Sequence, residues 1–66
     1  MAETVKVKVP TGKIRQDPRP DGRVLLKLQQ GQELKLVEHQ LRYSQVRYRD
    51  HFQDVTGWIA NVAINL

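Results

Sequence analysis

The sequence predicts an all-β fold, a small and partly open barrel of five or six short antiparallel strands. Three observations predict it. Apolar residues recur at every second position in several separate runs, beginning with Val5-Lys6-Val7-Lys8-Val9, the spacing of a strand with one buried face. Prolines and glycines punctuate the chain at short intervals, and each proline removes a backbone donor and restricts the residue before it. Length supplies the third. Sixty-six residues make one domain, or a fragment of a longer protein, near the lower limit for a single core. The domain is taken as residues 1 to 66, with the barrel at about residues 5 to 66. Without a cysteine to staple it, stability must come from sheet closure.

Val5, Val7 and Val9 share one face of the first strand. Pro10, Gly12, Pro18, Pro20 and Asp21-Gly22 then mark residues 10 to 22 as an irregular excursion carrying one short strand, with Ile14 as its core anchor. Val24, Leu26 and Leu28 face one way in the next run. Gln29-Gln30-Gly31-Gln32 breaks it, and Gly31 suits a tight turn. Leu34 and Leu36 point inward in Glu33 to Glu38. Helix propensity alone would allow a helix over residues 24 to 38, but the central glycine and the period of two oppose it. His39 to Arg42 is a short connection into Tyr43 to Arg49. After a polar tip at Asp50 to Asp54, Val55-Thr56-Gly57-Trp58-Ile59 returns as the second strand of a hairpin, with Val55 and Ile59 inward. Asn61-Val62-Ala63 fits one 3-10 turn before Ile64-Asn65-Leu66. With turn signals this closely spaced, a barrel is the practical architecture at this length.

Composition limits function without choosing one. Eleven Lys and Arg against seven Asp and Glu give a net charge of +4, which favours an anionic partner. The cations are scattered, as on a solvated surface. No stretch approaches the ~20 apolar residues that span a bilayer, so membrane insertion is not expected. Met1 to Lys6 lacks the apolar core of a secretory signal. Localisation stays open: cytoplasmic for a complete chain, cell envelope for a fragment.

In order along the chain, Ile14-Arg15, Pro18, Val24 to Leu28, Gly31, Leu34 to Val37, Tyr43 with Val46, and Gly57-Trp58-Ile59 resemble the bacterial SH3-like (Src-homology-3-like, SH3b) domain family. Collinearity carries the resemblance, since no single motif is specific. Most members have tryptophan where this chain has Tyr43, and the loop before Gly57 is longer and more charged here. In the eukaryotic branch a groove proline and tyrosine stand where this chain has Ala60 and Ala63, which argues against a proline-rich ligand. The resemblance implies an SH3-like barrel that binds a peptide near Tyr43 and Trp58. The ligand would be a peptidoglycan stem peptide, a segment of a protein partner or a neighbouring domain. Arg15, Asp17 and Arg19, from the irregular loop, would flank the groove and supply charge selectivity.

Trp58 has parity opposite to Ile59, so with Ile59 buried its ring is directed to the outer face. There it either contacts a partner or lies under a loop and extends the core. Tyr43 carries the same pair of readings. Phe52, at the hairpin tip, is expected to fold back on the barrel, with insertion into a partner as the other reading. An enzyme is not expected. Ser44 reads as an outward polar residue, and His39 and His51 fall in two different loops, so no nucleophile and base are paired. Asp50, His51 and Asp54 make a loop cluster rather than a metal site, and no cofactor is expected. The alternative function is single-stranded nucleic-acid binding through a basic stripe of Lys6, Lys8 and Arg15 with aromatic stacking. The two lysines equally suit protection of an edge strand.

Overall fold

A computed structural model describes residues 3–66. Met1 and Ala2, where the segment searched for an export signal begins, lie outside the described residues. The expected all-β architecture is present. Six strands form, β1 (Glu3–Lys6), β2 (Thr11–Arg15), β3 (Val24–Gln29), β4 (Glu33–His39), β5 (Tyr43–Arg49) and β6 (Asp54–Ala60), followed by a 3-10 turn at Asn61–Ala63. They make one antiparallel sheet in the order β1-β4-β5-β6-β2-β3, so β1 and β3 are its open edges.

Alternation in the sequence becomes burial in the structure. Val5, Val7, Ile14, Leu28, Leu34, Val46 and Ile59 are buried, with Ala63 and Ile64 joining them from the end of the chain, and Leu26, Leu36 and Val55 pack against this core. Partial closure comes from backbone laced around residues 6 to 8. The Val7 amide donates to the Gln32 carbonyl at 3.0 Å and the Gly31 amide donates to Val7 at 2.8 Å. From the other side the Lys8 amide donates to Ala63 at 2.9 Å and the Asn65 amide to Lys6 at 2.9 Å. The tight turn expected at Gly31 has φ of 92° there, a conformation glycine adopts without a side-chain clash.

Two details depart from the alternating pattern. β4 continues through His39, which was expected to begin a connection, and its register on β5 shifts between Leu36 and Glu38. Val37 is exposed as its parity opposite to Leu34 and Leu36 requires, whereas Glu38, past the bulge, is exposed despite sharing their parity, because an extra residue interrupts the two-fold alternation. Ser44 is the larger correction. It is fully buried rather than outward, since on β5 it shares the parity of Val46 and not of Tyr43.

Candidate functional site

Tyr43 opens β5 and pairs across the hairpin with Ala60, while Gln45 pairs with Trp58 two residues further on. Directly paired residues point to the same face, so Tyr43 and Trp58 are diagonal neighbours on the outside of the barrel. Trp58 also pairs with Arg15, the one register pair that joins β6 to β2. Both rings are half-buried. Trp58 thus faces outward as its parity requires, flanked by Gln45 and Arg15.

Gly57 explains how β2 comes so close. A β-carbon at this position would lie 2.6 Å from the Arg15 carbonyl oxygen and 2.6 Å from Cγ2 of Ile14. Only a residue without a side chain lets the strands cross there.

Two adjoining grooves share Tyr43, Pro20 and Ala60 as walls. One, of about 560 Å³, runs past Pro18, Leu41 and Val62, with Arg19 and Arg42 on its rim. The other, of about 250 Å³, is bounded by Thr11, Lys13 and Arg15. The larger volume falls in the usual range for ligand clefts, roughly 300 to 1,000 Å³. Apolar walls with a few polar groups are also what such clefts present.

The loop that carries Pro18 and Pro20 is held in place by its own polar groups. Nη1 of Arg15 donates to the Gly22 carbonyl at 2.8 Å, and the Gln16 amide donates to Arg23 at 2.8 Å. Arg19 lies 3.4 Å from both Asp17 and Asp21. These exposed pairs contribute little to stability, but they partly neutralise Arg19. On the opposite wall, Nδ2 of Asn61 donates to the carbonyls of Gln40 at 2.7 Å and Leu41 at 3.0 Å. Its backbone amide donates to Arg42 at 2.9 Å.

Of the residues singled out in the sequence, Tyr43, Arg15 and Arg19 therefore line the grooves. Asp17 stands behind Arg19 as its partner, and Trp58 sits beside the grooves without lining them. Phe52 is elsewhere. The seven residues of β5 separate the Tyr43 end of the hairpin from its tip, about 20 Å at the rise of an antiparallel strand. The Phe52 ring is 95% exposed, so it does not fold back on the barrel as expected. Asp50 holds the tip instead: its Oδ1 accepts from the amides of Phe52 at 2.8 Å and Gln53 at 2.9 Å, and its Oδ2 accepts from the Tyr48 hydroxyl at 2.9 Å. The Phe52 amide first, with the Tyr48 hydroxyl, holds the Asp50 carboxyl below its ordinary range, and Asp50 raises the Tyr48 phenol in turn.

Sequence reasoning missed Lys13, Arg42, Leu41 and Val62. Pro20 was read only as punctuation. A signal for Asn61 was present, because asparagine after a strand commonly bonds nearby backbone. Lys6 and Lys8 lie at the β1 end of the sheet, whereas Arg15 is on β2, with β4, β5 and β6 between those strands in the sheet order. Ser44 cannot present its hydroxyl to solvent, being buried and bonded to Asn61. Among the described residues no three His, Asp or Glu side chains gather as a metal site, and no helix is long and apolar enough to cross a membrane. In comparisons with models of protein families, with curated proteins and with solved structures, nothing matches this chain.

Proposed function

We propose that this protein is a non-catalytic binding module of the bacterial SH3-like type, docking an extended peptide in the grooves beside Tyr43. One observation carries the reading: a half-buried tyrosine ring is the shared wall of two adjoining clefts, with Pro20 and Ala60 common to both. A ring in that position supplies apolar area and a hydroxyl at little conformational cost, as aromatic anchors do at recognition sites. Both walls are fixed in advance, one by Arg15 bonding Gly22 and the other by Asn61 bonding Gln40 and Leu41. Preorganised walls reduce the ordering cost of binding. The resemblance noted in the sequence suggests a peptidoglycan stem peptide or a segment of a partner protein as ligand.

A peptide array that includes peptidoglycan stem peptides and overlapping extended sequences tests this role. The wild-type chain is retained by at least one peptide class, and Tyr43→Ser, checked for cooperative unfolding, is not. Equal retention of the two proteins would remove Tyr43 from the site and the role with it.

A further inference from the structure

Charge around the Tyr43 grooves is one-sided. Lys13, Arg15, Arg19 and Arg42 line them, and no carboxylate does. Arg19 is partly neutralised by Asp17 and Asp21. Lys13, Arg15 and Arg42 have no ion-pair partner among the described residues. Lys13 moreover stands directly across from Lys27 in the β2–β3 ladder. Like charges in that position destabilise a sheet, and a bound anion would relieve the repulsion.

Resting on the peptide-docking role of these grooves, we infer that their ligand is an acidic peptide. An apolar residue of the peptide packs on the Tyr43 ring between Pro20 and Ala60. Carboxylates to either side meet Arg42 in the larger groove and Lys13 with Arg15 in the smaller one. Complementary charge of this kind sets partner choice and association rate. A single-stranded nucleic acid would satisfy the cations too, but it binds by stacking successive bases on separate rings. Tyr43 is the single aromatic residue lining either groove, Trp58 lies outside both, and apart from the four cations the remaining walls are aliphatic or small side chains.

Selection of the full chain against a randomised heptapeptide phage library tests the inference, with synthetic copies of the enriched peptides and an oligothymidylate then titrated. Lys13 and Arg42 are exposed and unpaired, so a Lys13→Gln, Arg42→Gln double variant keeps the fold. Enriched peptides are rich in Asp and Glu, fail on Tyr43→Ser, and bind the double variant about tenfold more weakly, the effect of losing about 1.4 kcal/mol. Tyr43-dependent peptides that are neutral or basic, or acidic ones indifferent to the double variant, overturn the acidic specificity and leave the docking role standing. Absence of any Tyr43-dependent peptide overturns both. Tyr43-dependent binding of oligothymidylate, tighter than that of every peptide, also overturns both and makes the grooves a nucleic-acid site.

Discussion

The hydroxyl of Ser44 donates a 2.6 Å hydrogen bond to Oδ1 of Asn61, joining a fully buried position on β5 to the 3-10 turn. The two N–H groups of Asn61 serve the groove wall, Nδ2 donating to the Gln40 and Leu41 carbonyls and the backbone amide to that of Arg42. Core packing and the shape of the groove wall are therefore coupled through one side chain.

Replacing Asn61 with alanine leaves the buried Ser44 hydroxyl without a partner and frees the β4–β5 connection. A buried unsatisfied polar group costs about 1–3 kcal/mol, so Asn61→Ala is expected to lower stability by about 2 kcal/mol in urea unfolding. In the Ser44→Ala background the same change costs less, because the stranded hydroxyl is already gone. Additive effects would contradict the coupling.

Gly57 and Gly31 reject alanine for different reasons. At Gly57 the added carbon meets backbone and the Ile14 side chain at 2.6 Å, and overpacking a core costs about 3 kcal/mol at the upper end of its usual range. Gly31 has open space around it but a φ of 92°, so Gly31→Ala carries backbone strain alone, about 1–2 kcal/mol. Denaturant midpoints order the variants wild type, Gly31→Ala, Gly57→Ala from most to least stable. Equal stability of Gly57→Ala and wild type would mean that β2 and β6 do not cross this closely.

Phe52→Ser is expected to change stability by no more than about 0.5 kcal/mol, as a surface substitution does. A loss above about 1 kcal/mol in urea unfolding would show that the ring packs on the barrel after all.

Acid is expected to loosen the hairpin tip. The Asp50 carboxyl sits below its unfolded value because the Phe52 and Gln53 amides and the Tyr48 hydroxyl bond its charged form. A group lowered in this way contributes fully above its unfolded pKa, and the contribution is lost as pH falls through the folded value. Exchange at the Phe52 and Gln53 amides, corrected for intrinsic rates, should lose protection below about pH 4. Asp50→Asn, which cannot ionise, should flatten that response. A wild-type tip whose protection does not vary with pH would contradict the assignment.

Most of the barrel was legible because burial follows a period of two. Ile14, Leu34, Val46 and Ile59 declare their faces by position alone. Ser44 obeys the same period, and its polarity concealed an inward placement that Tyr43 and Val46 already implied. The bulge between Leu36 and Glu38 and the run of β4 through His39 were not legible, since both depend on how β4 pairs with β5. Phe52 misled for another reason: apolar character predicts burial only where neighbouring structure exists to cover it, and the tip is stabilised by Asp50 without the ring. Of the residues lining the candidate grooves, Tyr43, Arg15 and Arg19 were singled out from the sequence. Lys13, Arg42 and Val62 were not, because their convergence depends on strand order and on the bonds of Asn61, neither of which has a local sequence signal.

The central claim is that ligand enters beside Tyr43, and chemical-shift mapping of the labelled 66-residue chain tests it most directly. Titrated with a synthetic copy of an enriched heptapeptide, the amides of Arg15, Arg42, Tyr43 and Ala60 should move together while those of Phe52 and its neighbours stay in place. Shifts centred on the Phe52 tip or on the free edge of β1, with the Tyr43 cluster unmoved, would contradict the account.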